Sequence, residues 1–189
     1  ELGEELCNVV FTDKAIEQFL VEFIPMPNEA QIIDILIHRQ GDKLLVASSE
    51  GDGFVVPEDD VIAQTRAGKQ VLNVKDGVAK VVRRVSGDHV AVVSENGRFL
   101  VFALEELPEM GRGKGVRLQK YKKVFGRQGT LELDGGLGDI TTFVWADGLS
   151  WTMGGGKTRT EADLSEWKAA RGGVGKRAPH GFPKSNRFE

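Results

Sequence analysis

The chain has one cysteine, one tyrosine and three histidines in 189 residues. A single thiol, Cys7, excludes an internal disulfide and reads as a small buried hydrophobe, which suits a reducing cytoplasm. His38, His89 and His180 are too dispersed for the close spacing of zinc ligands, so packing or surface roles are expected and no metal site is. No apolar run approaches the roughly 18 residues of a membrane span, so no membrane partner is expected. The acidic opening Glu1-Leu2-Gly3-Glu4-Glu5 is no signal peptide and has no initiator Met, so the chain reads as a fragment of a longer protein. A catalytic set is missing as well. Cys7 lacks a recognisable partner for nucleophilic catalysis, and the pairs Asp59-Asp60 and Glu105-Glu106 read as solvated segment starts. Gly156-Lys157-Thr158 has Trp151 where a phosphate-binding nucleotide loop needs glycine.

What is present is an ordinary globular composition, 40% hydrophobic and 28% charged, with enough length for one domain and a real core. The net charge of −3 conceals an asymmetry. Residues 1–109 hold 10 Lys and Arg against 20 Asp and Glu, whereas residues 110–189 hold 15 against 8. A basic half joined to an acidic half is compatible with binding a polyanion on one surface.

The chain is organised around Lys43 to Val74: an apolar strand, a Gly turn, a second strand Phe54-Val55-Val56, a short acidic turn from Pro57 to Ile62, a basic Gly loop, and a closing strand Gln70 to Val74. Ile32 to Ile37 precedes this as a β-branched run, read as a strand that makes a hairpin with Leu44 to Ala47. A shift of about 45 positions brings back the pattern, a period suited to four-stranded propeller blades. Gly41-Asp42 falls on Gly87-Asp88, Leu45 on Val90, Ala47 on Val92 and Phe54-Val55-Val56 on Phe99-Leu100-Val101. A divergent third copy sets Leu149 at the place of Val90, Trp151 at that of Val92 and Gly156 at that of Gly97, and carries a helix-like stretch from Glu161 to Ala170. The expected fold is therefore all-β, an array of four-stranded blades, few in number, with short helical segments. Blades are expected at about 31–75, 77–121 and 136–178, with a tail at 179–189. Residues 122–133 read as an exposed loop or extra hairpin. Residues 1–30 read as an N-terminal segment of open fold, with part of a preceding blade as one alternative; Phe11 to Phe23 reads equally as amphipathic helix and as strand.

Three Gly-basic loops recur at equivalent places: Gln64 to Gln70, Gly111 to Arg117, and Arg171 to Arg177. Glycines let backbone N–H groups approach an anion, and Arg or Lys add charge, so the combination suits phosphates. Loops repeated along one rim could neutralise successive phosphates of a bent duplex, and the absence of a recognition helix or paired zinc ligands points to backbone contact rather than base readout. The candidate contacts are Arg66, Lys69, Arg112, Lys114, Arg117, Lys120, Arg171, Lys176 and Arg177. The competing reading is a propeller-type protein-interaction module that docks through Glu58-Asp59-Asp60 and Glu105-Glu106.

EGDGFVVPEDDVIAQTRAGKQVLNV, GDHVAVVSENGRFLVFALEELPEMGRGKGVRLQKYK and ADLSEWKAARGGVGKRAPHGFPKSNRFE together resemble the C-terminal domain of the larger, DNA-cleaving (A-type) chain of bacterial DNA topoisomerase IV, in the gyrase A family. The likeness covers roughly Ile32 to the C-terminus. It implies a β-pinwheel over 31–189 whose basic rim binds and bends double-stranded DNA and helps choose the segment to be transported. It implies as partners the remainder of the topoisomerase IV holoenzyme, both the rest of the A-type chain and the B-type chain. ATP and Mg belong to that holoenzyme, with no cofactor on this chain, and a cytoplasmic location on the chromosome follows. The family's strand-cleaving tyrosine lies outside such a domain, and Tyr121 does not match its motif, so the chain alone is expected to be inactive. The gyrase-type wrapping box survives only in degraded form, at Gln64 to Gln70 and Met110 to Gly115, which argues against tight wrapping and negative supercoiling.

Overall fold

The computed structural model describes residues 31–65, 67–125 and 131–189. The alternatives for Phe11 to Phe23 lie outside the described residues. Among the described residues twelve short strands run in chain order: β1 Lys43–Ser48, β2 Asp52–Pro57, β3 Ala79–Arg84, β4 His89–Ser94, β5 Arg98–Ala103, β6 Val116–Arg117, β7 Lys122–Phe125, β8 Leu131–Asp134, β9 Leu137–Phe143, β10 Leu149–Thr152, β11 Thr158–Glu161 and β12 Lys176–Arg177. The helices among the described residues are single 3-10 turns, at Glu58–Val61, Leu104–Glu106, Trp145–Asp147 and Ser165–Trp167. The helix-like stretch from Glu161 to Ala170 thus reduces to one turn. Its Glu161 belongs to β11, and Ala169 donates its N–H to Val101 O, so the backbone there is committed to sheet partners.

Two four-stranded antiparallel sheets dominate, ordered β3-β1-β2-β6 and β12-β5-β4-β9, beside the two-stranded β10–β11 and β7–β8. The expected hairpin in the insertion is β7–β8. Sheets and sequence repeats do not coincide. The second repeat keeps its hairpin β4–β5 for the second sheet but gives its first strand, β3, and its last, β6, to the first sheet. The third repeat likewise gives β9 and β12 to the second sheet and keeps β10–β11. The expectation that each repeat closes its own four strands is corrected accordingly: every complete sheet takes its two outer strands from the repeat that follows. Because β1 has its free edge filled by β3, Ile32 to Ile37 cannot pair there, and the run carries no strand. Gln70 to Val74 is reduced for the same reason to a bridge between Leu72 and Gly113.

Register follows from turn geometry. Gly51 N–H donates to Ser48 O and Gly97 N–H to Ser94 O, both at 2.9 Å, so the two hairpins close alike. Lys43 lies opposite Pro57 in the first and His89 opposite Ala103 in the second, which places the repeat at an offset of 46. Leu44, not Leu45, corresponds to Val90, and Phe54 corresponds to Leu100. One residue of slip reverses every side chain, and the core confirms the assignment. Leu45, Ala47, Val55 and Val81 of the first sheet pack against Val90, Val92, Leu100, Phe102 and Ile140 of the second in one buried cluster. The opposite face of the second sheet, Ala91, Val93, Phe99 and Val101, packs on Leu149, Trp151, Leu164 and Phe188. In the third hairpin Leu149 and Trp151 point back at the preceding sheet as Val90 and Val92 do, so that part of the alignment stands.

Polar ties lock the stack. Arg83 on β3 reaches Asp139 on β9 at 3.3 Å and Glu189 at 2.9 Å, while Phe188 N–H donates to Asp139 Oδ2 at 2.9 Å. Glu58, 2% exposed, accepts from Arg84 Nη2 at 2.8 Å, Arg84 Nε at 3.2 Å and Arg39 N–H at 2.9 Å. Burial pushes the Glu58 carboxyl up, but the Arg84 guanidinium, the Arg39 N–H and His38 outweigh it and hold its pKa below the ordinary 4.5. A depressed folded pKa contributes stability that is present above the unfolded value and is lost as pH falls through the folded one. Thermal unfolding from neutral pH to about pH 3 should therefore show a falling midpoint below about 4.5, and Glu58→Gln should flatten that acid limb. An acid limb identical in the variant would exclude Glu58 as its source.

Candidate nucleic-acid interface

The second and third Gly-basic segments run into outer strands. β6 joins β2 through Asp52 opposite Arg117 and Gly53 opposite Val116; β12 joins β5 through Arg98 opposite Arg177 and Phe99 opposite Lys176. Gly115 (φ +80°) and Gly175 (φ +82°) precede these strands, and a Cβ there would stand 2.3 Å from Gly53 O and 2.6 Å from Phe99 O. Glycine is what lets each basic segment close onto its sheet.

The segments are also sewn to one another. Gly113 exchanges hydrogen bonds with the chain after the first loop, donating to Val71 O at 3.0 Å and accepting from Asn73 N–H at 2.8 Å. Gly172 N–H donates to Leu118 O at 2.9 Å, Lys120 N–H to Gly173 O at 3.0 Å, and Arg171 Nη1 to Arg117 O at 2.6 Å. Gln119, fully buried, donates from Nε2 to both Arg98 O and Val174 O. The three segments are thereby joined along one edge.

Not all candidates are equally available. Arg66 lies outside the described residues. Lys69 donates to the Asp60 carbonyl. Lys114 and Arg117 both lean on the buried Asp52, at 3.2 and 3.0 Å, and Arg117 also donates to Glu50 O. Arg171 is held by Glu106 O and Arg117 O. Arg112, Lys120, Lys176 and Arg177 are exposed, and none joins an ion pair among the described residues. Two residues absent from the sequence-based set belong with them. Arg98 stands beside Arg177, and Lys122 lines a small cavity with Arg98 and Lys120. The signal for Arg98 was its place in the repeat, which the one-residue slip obscured.

The remaining candidates have structural work. His89 packs 4.7 Å from Trp145 and bonds Asp88 at 3.0 Å; His38 bonds Asp59 at 2.9 Å. Lys168 Nζ sits 4.5 Å over the Trp145 ring and Trp151 is buried, so neither indole is an open stacking platform. Tyr121 is buried, and burial pushes its phenol above the usual range against the pull of Arg117. The acidic residues are largely occupied internally, Glu58 with Arg84, Glu106 with Arg171 and Glu109 with Lys43.

Stacked sheets that exchange outer strands, with Gly-basic segments joined along one edge, define a β-pinwheel. Its sequence matches the family described as DNA gyrase C-terminal domain, beta-propeller, over residues 42–84 and 88–123. The chain belongs to this family, the C-terminal domains shared by gyrase A and its topoisomerase IV counterpart. It is 41% identical over 165 residues to the A-type chain of DNA topoisomerase 4 from Caulobacter vibrioides, covering 87% of this chain and 20% of that protein. The protein of the same name from Rickettsia bellii is 44% identical over 158 residues, covering 83% of this chain and again 20% of that protein. The chain thus spans about one fifth of the length of these curated relatives. In fold it is similar to the ParC C-terminal domain of Escherichia coli, with a TM-score of 0.69 at 23% identity over 87% of this chain and 66% of that one.

Proposed function

We propose that the chain is the non-catalytic DNA-binding and DNA-bending part of a type II topoisomerase, contributing to the choice of DNA segment in decatenation and relaxation. The observation that supports it most is the joined edge carrying Arg112, Lys120, Lys176 and Arg177 without acidic partners among the described residues. Such an edge matches the phosphate backbone of a duplex, whose contacts position a protein without reading sequence. Lys69, Lys114, Arg117 and Arg171, engaged with the protein's own oxygens, shape the loops that present those cations. The rest of the holoenzyme supplies strand cleavage and ATP-driven passage with Mg, so the chain has no cofactor of its own and works on the cytoplasmic chromosome. Docking of a basic protein on the acidic half is less well supported, since Glu58, Asp59 and Glu106 already have internal cations or N–H donors and leave that face only the carboxylates of Asp60 and Glu105.

The test is a salt titration of binding to a short labelled duplex. Four phosphate contacts correspond to a log–log slope of about −4, or roughly a hundredfold loss of affinity between about 50 and 200 mM salt. Duplexes of unrelated sequence should bind alike. Binding that is flat in salt, or absent, overturns the proposal.

A further inference from the structure

The two four-stranded sheets follow one pattern and differ at a position that matters electrically. In the first sheet Asp52 on β2 lies opposite Arg117 on β6 and pairs with it at 3.0 Å. At the offset of 46 its counterpart is Arg98, which lies opposite Arg177 on β12. Glu50, two positions earlier in the turn, becomes Asn96. The turn itself is kept: Ser48 Oγ accepts from Asp52 N–H at 3.4 Å, and Ser94 Oγ accepts from Arg98 N–H at 2.9 Å. An acid–base cross-strand pair has been replaced by two arginines on an unchanged backbone.

Like charges directly opposite on neighbouring strands repel. Here the repulsion is compounded, because Lys120 and Lys122 line the same cavity as Arg98, together with Ser94 and Asn96. Asp134 is the one acid on its wall among the described residues, and no ion pair among them joins Arg98, Lys120, Lys122 or Arg177. The backbone that carries these cations is tied together. Gln119 ties the carbonyls of Arg98 and Val174 together, and Asn96 Nδ2 donates to Asp134 O at 3.2 Å. A concentration of positive charge on a braced backbone, beside neutral hydrogen-bonding groups, suits a bound anion.

We propose that the edge of the second sheet is the anchoring phosphate seat, where a backbone phosphate of duplex DNA is held by Arg98 and Arg177 with Lys120 and Lys122, while the matching edge of the first sheet is self-neutralised by Asp52. This rests on the duplex-binding reading above and adds an unequal division of labour between the sheets.

Duplex binding of the 189-residue chain is compared with that of Arg98→Gln, Arg98→Asp and Lys114→Gln. Arg98→Gln should weaken binding about tenfold near physiological salt and lower the salt slope by about 1. Arg98→Asp should weaken it further, because the new carboxylate pairs with Arg177 as Asp52 does with Arg117, and its thermal midpoint should not fall. Lys114→Gln should cost less than about twofold. If the unaltered chain shows no salt-dependent binding, the functional reading fails. If the unaltered chain binds but Arg98→Gln matches it, or Lys114→Gln weakens binding as much as Arg98→Gln, the seat is misassigned and the functional reading stands.

Discussion

Phe99→Ala is expected to lower the free energy of unfolding by about 3–5 kcal/mol, the usual cost of emptying an aromatic site in a packed core. Phe99 is fully buried on β5 and makes edge-on contacts with Trp167, Phe182 and Phe188, at centroid distances of 6.1, 5.5 and 5.9 Å. Aromatic pairs in this geometry add to the area they bury. The loss should reach beyond the cavity, because Phe182 and Phe188 close the C-terminal segment over the outer face of the second sheet. Denaturant unfolding followed by tryptophan fluorescence should move to a lower midpoint. A change under about 1 kcal/mol would mean that the aromatic cluster is not what holds this segment.

The second large effect is on binding. Joint replacement of Arg112, Lys120, Lys176 and Arg177 by alanine should reduce duplex affinity at least about a hundredfold and flatten the salt slope to the remainder that Arg98 and Lys122 supply. Thermal stability should hardly change, since all four side chains are exposed and surface substitutions usually fall within about 0.5 kcal/mol. Removing Arg177 even relieves its repulsion with Arg98 across β5 and β12. The combination of a folded protein with greatly weakened binding is the informative result. Retained affinity would shift the contact surface away from this edge, whereas unfolding would show that the cations brace the sheet.

The fold class, the three repeats and the equivalence of the Gly-basic segments were legible because glycine at special backbone positions and β-branched runs leave local marks. Register was not. Leu44 to Ser48 and Val90 to Ser94 are buried on both faces, so the runs lack the apolar–polar alternation that would have told Leu44 from Leu45 as the partner of Val90. Strand exchange escaped for a related reason. The apolar character of Val81 and Ile140 says that they are covered, but nothing local says which neighbouring hairpin covers them. Of the candidate contacts, the sequence pointed to the right segments yet could not separate Arg112 from Arg117, whose availability is decided by Asp52 across a strand pair. Arg98 remained hidden because its meaning comes from its opposition to Arg177, 79 positions downstream.

The borrowing of outer strands has a consequence during synthesis. Asp52 meets Arg117 only after the intervening chain has been made, which at about 5–20 residues per second takes several seconds. Throughout that interval the outer edge of β2 is an unpaired template, open to any passing strand. The acidic Asp52 and the charged turn that follows β2, Glu58-Asp59-Asp60, stand along this edge while it waits. The same carboxylate that later neutralises Arg117 thereby guards the nascent sheet against pairing with the wrong chain.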